Sequence, residues 1–384
     1  MKIILPNYVK KALKTLHNAG FDAWIVGGSV RDSIMGKPPQ DYDIATSAKP
    51  QQVINLFERT IPTGVKHGTV TVLIDKNSIE ITTFRTESGY NDSRHPDSVS
   101  FVLDITEDLS RRDFTVNAIA YNEENGLFDP FDGYNDIKNK ILKTVGDAKT
   151  RFNEDALRIM RLFRFASQLE FEIDEQTFLA ANDCAPLLIK ISPERVREEL
   201  IKTLCGNKPE KLNFLLKTNC LSHLGLLDNY YVRNNICFIP AKANLRFIYF
   251  CYSNSIDIQK ICKTLKTSNN FLKECESVVS LLNNHLPESK ADIKRILSNT
   301  HIDYFKSYIS IYEALSGCEN LSDNLSDILK NNEPYKIEML KISGEDLKML
   351  GYSGRNIGKT LNFLLDKVIK NPEKNTVENL KALL

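Results

Sequence analysis

Residues 21–32 read Phe21-Asp22-Ala23-Trp24-Ile25-Val26-Gly27-Gly28-Ser29-Val30-Arg31-Asp32. A short apolar run closes on two glycines and passes into a segment of helical character, the pattern of a strand feeding a helix. Upstream, Val9, Leu13 and Leu16 mark an amphipathic start. Downstream, TVTVLID (69–75) and SIEITTFR (78–85) alternate β-branched and polar residues at period two, with Glu80 and Thr82 on the polar side. Roughly the first 145 residues therefore predict one mixed α/β domain with an antiparallel-prone sheet.

The texture changes near Phe152. EDALRIMRLFRFASQL (154–169) has no Gly, no Pro and a helical period. The remainder of the chain is rich in Leu, Lys, Asn and Glu, and Pro193, Pro209, Pro240, Pro287 and Pro334 punctuate it as loops between helices. No fixed-period repeat is visible. The expected fold class is α+β, an N-terminal sheet domain followed by an all-helical C-terminal region.

Composition narrows the function. The 384 residues are 42% hydrophobic and 26% charged, which excludes a disordered tail protein, a collagen-like fibre and a small disulfide scaffold. Lys+Arg is 50 against 49 for Asp+Glu, so extended coating of phosphates is not expected and any RNA contact must be local. Residues 206–384 carry 24 basic and 19 acidic side chains, a mild surplus where a long RNA could be gripped. No window reaches the ~18 apolar residues of a membrane span. The start, broken by Lys10, Lys11 and Lys14, does not read as a signal peptide. Eight cysteines all lie beyond residue 183 and none forms a CxxC pair. They are expected to be reduced, buried and cytosolic rather than zinc ligands.

Five clusters carry chemistry. At Gly27–Gly28 the missing Cβ lets backbone amides approach a phosphate, and Arg31 could add a charged fork; the plain alternative is a turn. Asp41 and Asp43, two apart on an extended segment, share a face and repel unless a cation sits between them. Hard oxygens so placed suit Mg²⁺, and the alternative is an exposed acidic turn. Glu80 is a third metal carboxylate if its strand neighbours theirs, and otherwise an outward-facing strand residue. Arg112, followed by Asp113, could fork onto a triphosphate while Asp113 accepts from a ribose hydroxyl; a mutual salt bridge is the alternative. Asp155 and Arg158, at i and i+3, share one face of a helix that Arg161 and Arg164 continue. The stripe drifts about 60° per step, which turns Arg164 nearly opposite Asp155. A surface ion-pair ladder is the alternative for that helix.

The order and spacing of these clusters are more specific than any one of them. GGSVRDSIMGKPPQDYDIAT, HGTVTV, IEITTFRTESGYNDSRHPDSVSF, RRDFTVNAIAYN and EDALRIMRLFRF together resemble the class II tRNA nucleotidyltransferases, the CCA-adding enzymes. Bacterial poly(A) polymerases share the superfamily. The resemblance covers about residues 20–170, with looser similarity in SPERVREEL and ISGEDLKMLGYSGRNIG. It implies a polymerase-β-like nucleotidyltransferase head (1–147), a helical neck that recognises nucleotide (148–206), a helical body (207–330) and a tRNA-binding tail (331–384). It further implies metal-binding, catalytic aspartates at Asp41 and Asp43. Nucleotide contacts fall on Gly28, Arg31 and Arg112, with Asp113 at the ribose. The neck motif falls on Asp155, Arg158, Arg161 and Arg164.

The implied activity is addition of C, C and A from CTP and ATP to the tRNA 3′ end, without a nucleic-acid template, by a two-Mg²⁺ mechanism that releases pyrophosphate. An Asp acceptor beside an Arg donor matches the amino group and ring nitrogen of cytosine and adenine. The keto oxygens of uracil and guanine would face the carboxylate at a cost of about 1–3 kcal/mol per unsatisfied group. The HGTVTV form and the intact stretch 85–101 favour complete CCA addition. An A-adding enzyme or poly(A) polymerase is the near alternative, and a non-catalytic RNA-binding protein of the same fold is the distant one. No His-Asp dipeptide occurs, so an HD phosphohydrolase domain is not expected. His67 and His95 read as loop and packing residues. Expected partners are tRNA, CTP and ATP, with no membrane and a cytoplasmic location. The oligomeric state, monomer or homodimer, is left open by the sequence.

Overall fold

The computed structural model describes residues 2–89, 98–284, 286–317 and 320–384. They form two compact units, Met1–Tyr231 and Val232–Leu384. His95, Cys318 and part of the 85–101 stretch lie outside the described residues.

In the first unit, helix α1 (Asn7–Asn18) buries Val9, Leu13 and Leu16 as its period requires. Strand β1 (Ala23–Val26), helix α2 (Gly28–Ile34), strand β2 (Asp43–Thr46) and helix α3 (Pro50–Leu56) come next. Then come β3 (Thr60–Gly64), β4 (Thr69–Ile74) and β5 (Asn77–Thr83). A two-stranded ribbon pairs β6 (Arg85–Ser88) with β7 (Ser98–Phe101), and β8 (Ala120–Asn122) and β9 (Gly126–Phe128) complete the strands of the main sheet. The main sheet has seven strands in the order β3-β4-β5-β2-β1-β8-β9. Its pairs are antiparallel except β2 with β5, which run parallel.

The β4–β5 hairpin turns at Asp75 and Lys76, both left-handed with φ of 49° and 69°. That twist matches the twist of the flanking strands, which is why a two-residue turn suffices. Ile79, Ile81 and Thr83 of β5 are buried and Glu80 is exposed, as the alternation predicts. One face of the sheet packs Trp24, Val26, Ala45, Phe84, Ile105, Leu109, Ala118, Ala120 and Val145 into a single core. Two of these, Ile105 and Leu109, sit on helix α4 (Ile105–Ser110), which leads into the Arg111-Arg112 pair.

The helical stretch departs from expectation at one point that matters. After α5 (Gly133–Asn139) come α6 (Ala148–Glu154) and α7 (Leu157–Leu169), two helices rather than one. Asp155 stands between them in extended conformation (φ −137°, ψ 103°), so it does not share a helix face with Arg158. Its Oδ1 accepts from the Leu157 amide at 3.0 Å. An aspartate that satisfies a nearby backbone amide offers the chain an alternative to continuing the helix. Helices α8 (Glu175–Cys184) and α9 (Pro193–Leu204) come after α7, and α9 packs along it.

The second unit is helical, with helices from Ala243–Ser253 to Val377–Lys381. Its last part has its own core of Ile342, Leu347, Leu361, Leu364, Val368 and Leu380. Lys294, only 2% exposed, pairs with Glu333 at 2.8 Å. Removing one partner of such a pair leaves an uncompensated buried charge. Glu333→Ala is expected to destabilise this unit by about 3 kcal/mol, and a shift of its urea midpoint measures it. Lys294→Met, which keeps the volume and removes the charge, is expected to cost much less. A midpoint unmoved by Glu333→Ala would refute the coupling.

The cysteine expectation needs correcting. Cys184, Cys251, Cys262 and Cys275 are buried, Cys205 and Cys220 are half-buried, and Cys237 is exposed. Apolar surroundings in sequence did not place Cys237 in a core, because its short 3-10 segment Asn234–Phe238 buries only Ile236. Among the described residues no helix is long and apolar enough to cross a membrane.

Candidate nucleotide and metal site

One cavity of about 460 Å³ gathers most of the predicted residues. Gly27, Gly28, Arg31, Asp43, Arg112, Asp113, Asp155, Arg158 and Arg161 line it, joined by Arg111, Asn117, Leu157, Phe165 and Arg195. Its six arginines outnumber its three aspartates, which suits a polyanion.

The glycine pair has a definite role. Gly27 has φ 73°, and a Cβ there would meet Arg112 Nη1 at 3.0 Å. Only glycine accommodates both constraints. Arg31, on α2, donates to Asn117 Oδ1 at 2.7 Å and forks onto Asp32 through Nε at 2.9 Å.

Asp41 and Asp43 are both exposed while Tyr42 between them is buried, which is the alternation of an extended segment. Glu80 is the register partner of Asp43 across the parallel β2–β5 pair, so the strand adjacency assumed for it holds. Although Asp43 keeps exposed surface, its carboxyl is partly desolvated at the cavity wall and so raised above its usual range, and the charges of Glu80 and Asp41 add to that while Arg112 opposes it. A carboxylate raised by its like-charged neighbours is one that a cation would stabilise. Among the described residues no three acidic, His or Cys side chains are gathered as a complete ligand shell. Magnesium takes few protein carboxylates and fills its shell with phosphates and water, so the donor set fits it.

The arginine pair is held by Asp108, which the sequence reading missed. Asp108, 1% exposed, accepts from Arg111 Nη2 at 2.7 Å and from Arg112 Nη2 at 3.2 Å. The i+3 and i+4 spacing from Asp108 is a signal that could have found it. Arg112 Nε is buried without a hydrogen-bond partner. Asp113 does not offer free acceptors. Its Oδ1 takes the Phe114 amide at 2.9 Å and Asn117 Nδ2 at 3.0 Å, and its Oδ2 takes Arg161 Nε at 2.8 Å. The local salt bridge offered as the alternative for this cluster is not the one formed: Asp113 pairs with Arg161 on α7, and Arg111 and Arg112 pair with Asp108.

Residues 23–143 match the family model described as the poly A polymerase head domain, and residues 170–226 match the probable RNA and SrmB-binding site of polymerase A. Residues 242–384 match the putative domain 2 of tRNA nucleotidyltransferases. The CCA-adding enzyme of Ligilactobacillus salivarius strain UCC118 is 37% identical, over 99% of this chain and 98% of that protein. The CCA-adding enzyme of Lactococcus lactis subsp. lactis is 37% identical over 95% and 94%. The crystal structure of Bacillus stearothermophilus CCA-adding enzyme in complex with CTP superposes with a TM-score of 0.87 at 30% identity, covering 99% and 97% of the two chains. This chain belongs to the CCA-adding enzymes.

The family's neck motif is only partly gathered at the cavity. Arg158 lines it but spends its guanidinium on Glu154 Oε2 at 2.6 Å, the Arg151 carbonyl at 3.1 Å and the Arg111 carbonyl at 3.0 Å. Arg164 does not line the cavity and instead donates to Glu199 Oε1 on α9 at 3.0 Å. The drift of a three-residue stripe around a helix turns it inward. Burial and the like charge of Arg161 lower the Arg164 guanidinium to about 10.

Phe165 is the residue with no sequence signal. It lines the cavity, with Arg164 4.2 Å, Arg31 5.2 Å and Arg161 5.3 Å from its ring centroid. Three guanidiniums share one ring, which orders like charges that would otherwise separate. Asn117 did have a signal, a lone amide inside an apolar run, and it ties Arg31 to Asp113. His67 ends an exposed 3-10 turn and contributes its carbonyl to Arg85, in keeping with a loop residue.

Proposed function

We propose that this chain adds C, C and A to the 3′ end of tRNA, using CTP and ATP and no nucleic-acid template. The observation that carries the reading is the cavity bordered by Asp43 on the sheet, six arginines, and Asp155 at the break between α6 and α7. It joins an acidic metal edge, a polyanion cradle and a base-reading carboxylate.

Asp41 and Asp43 are the metal-binding, catalytic residues, with Glu80 beside them. Mg²⁺ held by these carboxylates would supply acidification of the attacking 3′-hydroxyl and charge neutralisation at the triphosphate. Gly28, Arg31 and Arg112, which line the cavity, take the phosphates. Asp155 accepts from the amino group of cytosine or adenine, and Arg158 donates to the ring acceptor. Arg161 orients the site through Asp113, and Arg164 supports α7 from behind through Glu199. We assign nucleotidyl transfer to 1–147, base recognition to 148–206, and tRNA contact to the body at 207–330 and the tail at 331–384. A tRNA substrate fits a cytoplasmic location.

The test is nucleotide incorporation, with Mg²⁺, on tRNA transcripts ending before CCA, after CC and after CCA. Addition of CC and then one A, with no growth of the finished end, is expected. Incorporation only on the CC-ended transcript would make the chain an A-adding enzyme, and a long adenosine ladder a poly(A) polymerase. No incorporation would leave an RNA-binding protein of the same fold.

A further inference from the structure

Arg195 stands on α9, outside every motif assigned to nucleotide contact, yet it lines the cavity. Its Nη2 donates to Asp155 Oδ2 at 3.2 Å. The other oxygen, Oδ1, is held by the Leu157 amide. Both carboxylate oxygens thus accept from fixed donors, which sets the direction in which this acceptor-only group presents its remaining lone pairs. Arg195 Nη1 is buried without a hydrogen-bond partner, while the guanidinium of Arg158 donates to Glu154 and two carbonyls. Asp155 itself lies on no helix. With extended backbone on a two-residue break, its side chain has no helical turn to fix its direction.

We propose that Arg195 is a positioning residue for base selection, which clamps Asp155 as a pure acceptor and so enforces amino-bearing over keto-bearing bases. This rests on Asp155 as the base-reading carboxylate. A clamped carboxylate accepts from cytosine N4 or adenine N6 and meets the keto oxygen of uracil or guanine with a second acceptor. Freed from Arg195, the carboxylate can rotate away from that keto oxygen, and the penalty against the wrong base falls. Selection by a hydrogen-bonding site is lost when the site's polar group is free to rearrange.

The experiment compares kcat/KM for CTP against UTP, and for ATP against GTP, in the full chain and in Arg195→Met, Arg195→Lys and Asp155→Asn. The ratio does not depend on how much of a variant is folded, so a destabilised Arg195→Met still gives a reading. If Arg195→Met yields no folded fraction at all, Arg195→Gln replaces it. The expected result is a discrimination ratio lower by about 10-fold or more in Arg195→Met, the scale of one hydrogen bond to a charged group. Arg195→Lys is expected to restore part of it. An unchanged ratio in Arg195→Met, with collapse of the ratio in Asp155→Asn, would overturn the clamp and leave Asp155 as the reader. An unchanged ratio in both would overturn the base-reading assignment of Asp155 and the clamp with it.

Discussion

Replacing Asp43 by Ala is expected to lower Mg²⁺-dependent nucleotide incorporation by about 10³-fold, since a bound metal supplies several kcal/mol of transition-state stabilisation and each 1.36 kcal/mol is a factor of ten. Asp43 sits at the first position of β2, at the cavity edge, in register with Glu80. Its carboxyl is raised by desolvation and then by the charges of Glu80 and Asp41, against the opposing charge of Arg112, so the folded chain gathers negative charge that a bound cation would relieve. Asp43→Asn preserves shape and should fail almost as completely, which separates charge from packing. Binding of tRNA is expected to stay within a few-fold of the parent, because the loss is confined to a metal ligand. Full-rate incorporation by Asp43→Ala would sink the metal assignment.

The second large effect is on stability. Asp113 is 8% exposed and anchors Arg161, Asn117 and the Phe114 amide at once. Asp113→Ala is expected to destabilise the first unit by about 3 kcal/mol, the lower end for breaking a buried pair, because Arg161 keeps some exposure. Burial pushes the Asp113 carboxyl up, but Arg161 and Asn117 outweigh it and hold it at about 2, below the ordinary 3.8. A depressed folded value means the stabilisation is complete above about pH 4 and is lost as pH falls toward 2. The shift corresponds to about 2 kcal/mol of pH-dependent stability, at 1.36 kcal/mol per unit. Thermal melts of the parent and of Asp113→Asn between pH 5 and 2 measure it. The parent should lose stability more steeply than the variant over that window, and parallel curves would contradict the assignment.

The sheet and most of the residues it carries are legible in the chain alone. Period-two alternation at 69–85 places β4 and β5, and it puts Glu80 on the exposed side because strand side chains alternate whatever the tertiary setting. The glycine pair before α2 is legible because a left-handed turn leaves no other choice at Gly27. The motif order carries the family. By contrast, EDALRIMRLFRF reads as one helix, since helix propensity has no term for an aspartate whose side chain takes a backbone amide two residues on instead of continuing the first helix. Asp108 is passed over because an acidic residue on a short helix looks solvated until both arginines are seen to close on it.

Local order is thus written in the chain itself: strand and helix period, the carboxylate pair on one face, the glycines, and the motif succession of the CCA-adding enzymes. Which charges meet is a matter of packing. Asp113 answers to Arg161, 48 positions away, Asp155 to Arg195 at 40, and Arg164 to Glu199 at 35. Those pairings depend on how α7 and α9 pack beside the sheet, and side-chain reach across packed elements leaves no periodic trace along the chain. The same physics assigns Arg158 to Glu154 in the free chain, since a guanidinium in a partly buried site takes the nearest carboxylate rather than wait for a base.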